Sequence, residues 1–373
     1  MPRSRWMVLA SLALSLRVQA GDQFADGYVY ISEAGTEGCL MDLCWVRAIN
    51  PATGENWIFA DSQDGLCWNV GLGFTPDGSR LRVLNWGRNQ ILDFDIAGNG
   101  VVAFDGSDGI NMPYGGNGLA WDNAGNFCVA NEGGANELLR FLASGGPPEV
   151  LADGIYAGGI AIGPDGAVYV AGYYLVRIVA DGTVEVVDPY FGDVPAARSV
   201  AFDRDGNLYV ACDHRFVPPG GGIIFRYQGT DFTTREVFQD GLNVRGGDLS
   251  ITFSANYQTL YVTDQRRVYA VNVADGTRTT IYFGPYDPEG DYIHYVGFGI
   301  AVYKAPKPGD MNCDNWVNNF DIDPFVLALT DEAGYAARFG WCDRTRADVN
   351  RDGTIDNFDI DAFVEAVIAD RAE

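Results

Sequence analysis

Five stretches of this chain can be laid over one another: GLGFTPDGSRLRV, GLAWDNAGNFCV, GIAIGPDGAVYV, SVAFDRDGNLYV and SITFSANYQTLYV. Each reads as an apolar strand, a tight turn and a second apolar strand. Most of the turns carry Asp-Gly or Ala-Gly, residues that reach the positive φ a hairpin turn needs. The aligned anchors Phe74, Trp121, Ile162, Phe202 and Phe253 are spaced by 47, 41, 40 and 51 residues. Two more strand-like pieces follow each hairpin, for example LVRIVAD and VEVVDP after the third, GIIFRYQ and REVFQD after the fourth. Four short strands in a period of this length describe the blade of a β-propeller.

The ends of the repeat region complete the count. It begins at GYVYISE, which matches a second strand. It finishes at GFGIAVYK, where Val302 lies 49 residues after Phe253 and matches a first strand. Joined, the two half-units make one whole blade and remove the open sheet edges that invite aggregation. The expectation is six blades over roughly residues 22–304, within a domain of residues 21–305. Glycine at 47 of 373 residues and aromatics at 13 % agree with a turn-rich, mainly β protein. The motif resembles the NHL and gluconolactonase/SMP-30-like six-bladed propellers, and more loosely the streptogramin-lyase-like ones. It speaks for a fold and leaves activity open, because propellers host many functions.

Hairpin geometry sorts the loops. The Asp-Gly turns share one face, so the ends of the second strands and the starts of the first must share the other. Glu33, Asn85, Asn131, Glu132, Asp213 and Asp264 stand at the second-strand ends, and Asn69, Asn117, Arg198, Asp248 and His294 just before first strands. Resemblance to the gluconolactonases implies one divalent metal held by Glu, Asn and Asp, polarising a lactone carbonyl or activating water. Asn117 in NGLAW matches that family's Asn motif, and Asp248 in GGDLSITF matches its Asp motif in part. The glutamate expected in the closing blade is missing from HYVGFGIAV; Glu33 could stand in only from a different strand. Glu33, Asn117, Asp248 and Asp264 are therefore the candidate ligands of a propeller metal, and an ordinary polar channel rim is the competing reading. His214 and His294 are the only histidines, and no Ser-His-Asp grouping is visible.

After the proline-rich break KAPKPG the pattern changes. Residues 306–373 hold 15 Asp or Glu against 6 Lys or Arg. Within them DMNCDNWVNNFDIDPFV and DVNRDGTIDNFDIDAFV repeat at an offset of 38 residues, with acidic or amide side chains at alternate positions. A calcium loop takes oxygens from positions 1, 3, 5, 7, 9 and 12, position 7 through its carbonyl. The first loop, 310–321, offers Asp310, Asn312, Asp314, Trp316, Asn318 and Asp321; the second, 348–359, offers Asp348, Asn350, Asp352, Thr354, Asp356 and Asp359. Gly353 stands at the sharp turn; Asn315 replaces it in the first loop and tolerates the same left-handed backbone. The apolar residues that follow, Phe320, Ile322, Phe325 and Val326, recur as Phe358, Ile360, Phe363 and Val364, a spacing that suggests one helix face per copy packing against the other.

This duplicated EF-hand-type loop without an entering helix resembles the type I dockerin domain. The resemblance implies two calcium ions, a small helical domain and a cohesin-like or other cell-surface partner. That family uses loop positions 10 and 11 for docking, here Asn319-Phe320 and Asn357-Phe358. The usual small hydroxyl or aliphatic residues are absent there, and Asp323 and Asp361 stand early in the helices. Cys313 and Cys342 are placed to join the copies by a disulfide. Cys128 and Cys212 sit inside apolar strands and read as core.

A net charge of −25 disfavours nucleic acid and anionic lipid surfaces and attracts cations. Residues 1–20, with Arg3 and Arg5 before a short apolar run, read as a signal peptide, too short for a transmembrane span. The functional expectation is an exported or cell-surface calcium-binding protein. Its propeller binds a carbohydrate, small molecule or protein and is displayed by the tail, and the dockerin resemblance implies association with polysaccharide breakdown. The rival is a metal-dependent hydrolase or lyase at the propeller mouth.

Overall fold

The computed structural model describes residues 24–35, 44–111, 118–131, 136–189, 196–213, 221–229, 232, 234–243, 249–264, 266–284 and 294–370. They form six antiparallel sheets of four strands each. The innermost strands are Asn69–Phe74, Leu119–Trp121, Gly159–Ile162, Ala196–Phe202, Ser250–Phe253 and His294–Val302, and they lie side by side in a ring. The anchors aligned in the sequence all end these strands, and Val302 ends the last one at the matching position. This is the expected six-bladed propeller.

Small residues let the ring close. A Cβ on Gly159 would lie 2.7 Å from Ser199 Cα in the next inner strand, and one on Gly299 would overlap the carbonyl of Val70. Between the blades the cores are apolar, with Tyr30, Tyr209, Phe94 and Leu81 among the fully buried side chains.

Blade one is assembled from both ends of the region. The strand His294–Val302 pairs antiparallel with Val29–Gly35, Val302 opposite Val29. Two buried side chains weld this seam. The Ser32 hydroxyl accepts the N–H of Gly299 at 2.7 Å and donates to the carbonyl of Val70 at 2.7 Å, tying both terminal strands to blade two. Glu33 accepts Arg47 Nε at 2.9 Å from its own blade and Tyr282 Oη at 2.7 Å from blade six.

Beyond Val302 the chain runs into the tail, where three helices follow: α1 (Ile322–Thr330), α2 (Glu332–Phe339) and α3 (Asp359–Asp370). No helix enters either loop; the second is preceded by a 3-10 turn, Arg344–Ala347. Phe325 and Phe363 stack face to face, centroids 4.0 Å apart, at the pseudo-symmetric centre of a small core with Met311, Val317, Ala328 and Tyr335. The Cys313–Cys342 disulfide is formed.

The expected helix-to-helix face needs correction. Of the four apolar residues repeated in each copy, only Phe325 and Phe363 are inside. Phe320, Ile322, Val326, Phe358, Ile360 and Val364 are exposed, Phe320 at 70 % and Phe358 at 78 %. A 68-residue tail (306–373) has too small an interior to take two such stripes. The disulfide and one aromatic stack hold the centre, and the rest of each stripe faces outward.

Candidate functional site

At the mouth of the propeller the polar side chains turn back into the fold. Glu33, Asn69, Asn85, Asn131, Asp213 and Asp264 are all buried. In three blades the residue at or just past the end of the second strand accepts a backbone N–H from the segment leading into its own blade. Asn85 takes the N–H of Cys67 at 2.7 Å, Asn131 that of Asn111 at 2.6 Å, and Asp264 that of Asn243 at 3.2 Å. The sequence repeat therefore carries a clamp that satisfies buried backbone groups where one blade passes to the next. Asp264 also accepts Tyr269 Oη at 2.9 Å, and burial pushes its carboxyl up from the usual range. Of the four candidate ligands of a propeller metal, Glu33 and Asp264 are committed to these bonds. Asn117 and Asp248 lie outside the described residues, as do Glu132 and His214.

The tail loops are built differently. In each, the carboxylate at position 1 accepts the N–H groups of positions 5 and 6: Asp310 from Asp314 and Asn315, Asp348 from Asp352 and Gly353. Position 3 accepts from position 5, Asn312 from Asp314 and Asn350 from Asp352. Position 5 accepts from position 7, Asp314 from Trp316 and Asp352 from Thr354. Position 12 reaches back to positions 3 and 9, Asp321 to Asn312 and Asn318, Asp359 to Asn350 and Asp356. The two maps coincide at an offset of 38 residues. Asn315 and Gly353 both have positive φ, 72° and 88°, as do Cys313 and Arg351 at position 4. The local sequence dictates this: short oxygen side chains at alternate positions capture the N–H groups ahead of them and curl the backbone around their own oxygens.

The two loops differ in surroundings. Asp310 and Asp321 are fully buried, and burial pushes their carboxyls up to about 7 and about 6. Asp314 is raised for the same reason. Arg346 Nη1 stands 2.7 Å from Asp310 Oδ2. The second loop is exposed from Arg351 to Thr354. Both donor sets consist of hard oxygens, the chemistry that suits Ca²⁺. Among the described residues no three His, Cys, Asp or Glu side chains gather closely enough to hold an ion by themselves. A bound ion would therefore also draw on Asn312 or Asn350 and on the carbonyl at position 7.

The tail covers the hairpin-turn end of the propeller channel. A cavity of about 760 Å³ runs between the inner strands, past Gly118, Ser199 and Ser250, and ends on Asp314, Trp316 and Asp370. Sequence reading did not anticipate this contact. Its one visible signal is Tyr257, which occupies the positive-φ turn position that is glycine in the other four hairpins.

No protein-family model matches the chain, and no curated protein matches it. Solved structures do. The chain is similar to a chain of a nidogen/laminin complex, at 14 % identity and a TM-score of 0.55, over 74 % of this chain and 99 % of that one. It is also similar to a gluconolactonase from Xanthomonas campestris (16 %, TM-score 0.46, covering 62 % and 86 %) and to a calcium-binding regucalcin from Agrobacterium tumefaciens (16 %, 0.42, 57 % and 72 %). At such identities the likeness is one of fold: the class defined here is the six-bladed β-propeller. Among the described residues no helix is long and apolar enough to cross a membrane.

Proposed function

We propose that this is an exported calcium-binding protein in which a dockerin-like tail displays a propeller that acts as a binding module. The observation that carries the reading is the coincidence of the two loop hydrogen-bond maps. A solvated acidic turn has no reason to repeat a twelve-residue acceptor pattern, including two left-handed positions, at a fixed offset. In each loop Asp, Asn and Asp or Thr oxygens would share one Ca²⁺, whose charge relieves carboxylates that otherwise crowd each other out of water.

The outward apolar residues support a partner for the tail. Phe320, Ile322 and Val326, with Phe358, Ile360 and Val364, repeat by the pseudo-symmetry of the loops, and a cohesin-like or other cell-surface protein is the partner the resemblance implies. The bonds of Glu33 and Asp264 give these carboxylates a structural use at the mouth, which supports reading the propeller as a binding module. Calcium titration of the full chain by calorimetry tests the reading. Two ions per chain are expected, falling to one in Asp348→Ala; no heat of binding overturns it.

A further inference from the structure

The first loop is in contact with the propeller at two of its ligand positions, directly at position 7 and through Arg346 at position 1. Trp316, at position 7, stacks on Tyr257 with ring centroids 5.4 Å apart and planes at 21°. Arg204, from the hairpin turn of blade five, lies over the same indole at 4.6 Å and donates to the carbonyl of Asp370 at 3.2 Å. The Asp370 carboxylate in turn accepts the N–H of Val317 at 2.8 Å. At position 1, Arg346 bridges Asp310 and the carbonyl of Pro76 in the turn of blade two, the latter at 3.2 Å.

Tyr257 is the informative residue. Four hairpins place glycine at this turn position, with φ of 73° to 80°; blade six places a tyrosine there at 58°. A left-handed conformation is disfavoured for a residue that carries a side chain. What the exchange provides is the ring that receives Trp316.

We propose that the first loop is a calcium-dependent clasp between tail and propeller: ion binding at this loop favours docking over the channel end, and docking raises the affinity of this loop alone. The inference rests on the calcium reading above and adds the coupling. The sign follows from which groups touch. Among the described residues the loop carboxylates make no direct bond to the propeller; the indole, a helix-end carbonyl and Arg346 do. Docking therefore asks for an ordered loop, and ordering a loop of a small domain is what the ion supplies. Whatever docking contributes to that order the ion need not supply, so the two must favour each other equally. Arg346 beside Asp310 opposes a cation, which makes this the weaker loop and the one that responds to calcium level.

The test uses the full chain with Ca²⁺ as the probe. Tyr257→Gly removes the ring while giving the turn its usual residue, so it keeps the hairpin; Arg204→Ala removes the cation from an exposed position. Each should weaken one of the two calcium sites by roughly tenfold, within the usual range of coupling between sites, and leave the other unchanged. Small-angle scattering should show the wild type expanding on chelation as the tail swings away from the channel. Two calcium sites that are indifferent to both variants, or a radius of gyration unchanged by chelator, overturn the clasp and leave the calcium reading standing. Absence of calcium binding in the wild type overturns both.

Discussion

Single residues here do work that their position only partly announces. Glu33 looks like a metal ligand and acts as a seam between blades one and six. Its carboxylate is buried and has Arg47 at 2.9 Å and Tyr282 at 2.7 Å. Removing one partner of a buried pair strands the other charge, at a cost of about 3–5 kcal/mol. Arg47→Ala should therefore lower the denaturation midpoint sharply while calcium stoichiometry stays as in wild type; an unchanged midpoint would show the seam to be solvated. The buried thiols give a second check. Burial pushes Cys128 up to about 12 and Cys212 higher still. At pH 8 both should resist alkylation in the native chain and react once it is denatured, read by mass spectrometry.

At the scale of the element, the loops predict a ranking and a pH dependence. The second loop has four aspartates (Asp348, Asp352, Asp356, Asp359) against three (Asp310, Asp314, Asp321) and, among the described residues, no arginine ion-paired at position 1. Asp348→Ala should weaken overall calcium uptake more than Asp310→Ala, as calorimetry would measure. Without calcium, Asp310 and Asp321 sit at about 7 and about 6 when folded, above the ordinary 3.8. A raised carboxyl contributes stability that is present below its unfolded value and lost as pH rises through its folded value. In chelator the tail should thus lose helix stability between about pH 4 and 7, monitored by circular dichroism in thermal melts. Calcium should reverse the trend, because the ion needs both carboxylates ionised. A flat chelator profile would mean that these carboxylates are more hydrated than their burial indicates.

For the whole molecule, the decisive feature is that the chain closes its own ring. Residues 21–305 retain the strand His294–Val302 and should stay folded and monomeric without the tail. Ending the chain before residue 296 removes the partner of Val29–Gly35 and the Gly299 N–H that Ser32 accepts. That fragment should aggregate through the exposed edge, a difference that size-exclusion chromatography reads directly. Equal behaviour of the two fragments would mean the seam is not needed for closure.

What was legible in the sequence was what repeats. Turn chemistry, strand period and blade count are local or periodic properties, and each copy of the pattern reports the same geometry. The two tail loops were legible for the same reason: their acidic and amide side chains lie within twelve residues and accept one another's backbone N–H groups. The mouth was less legible because an acidic or amide residue at a strand end has two uses, and its bonds depend on what the neighbouring blade offers. Glu33 meets Tyr282, 249 residues away. Likewise the apolar stripes after each loop had the right spacing for burial, and only the size of the tail's core determined that Phe325 and Phe363 go inside while Phe320 and Phe358 stay out. The docking of Trp316 on Tyr257 and Arg204 joins residues from separate parts of the chain, and no period connects them. Patterns close in sequence follow from backbone and side-chain chemistry alone; contacts between distant segments are decided by the surface the folded blades present.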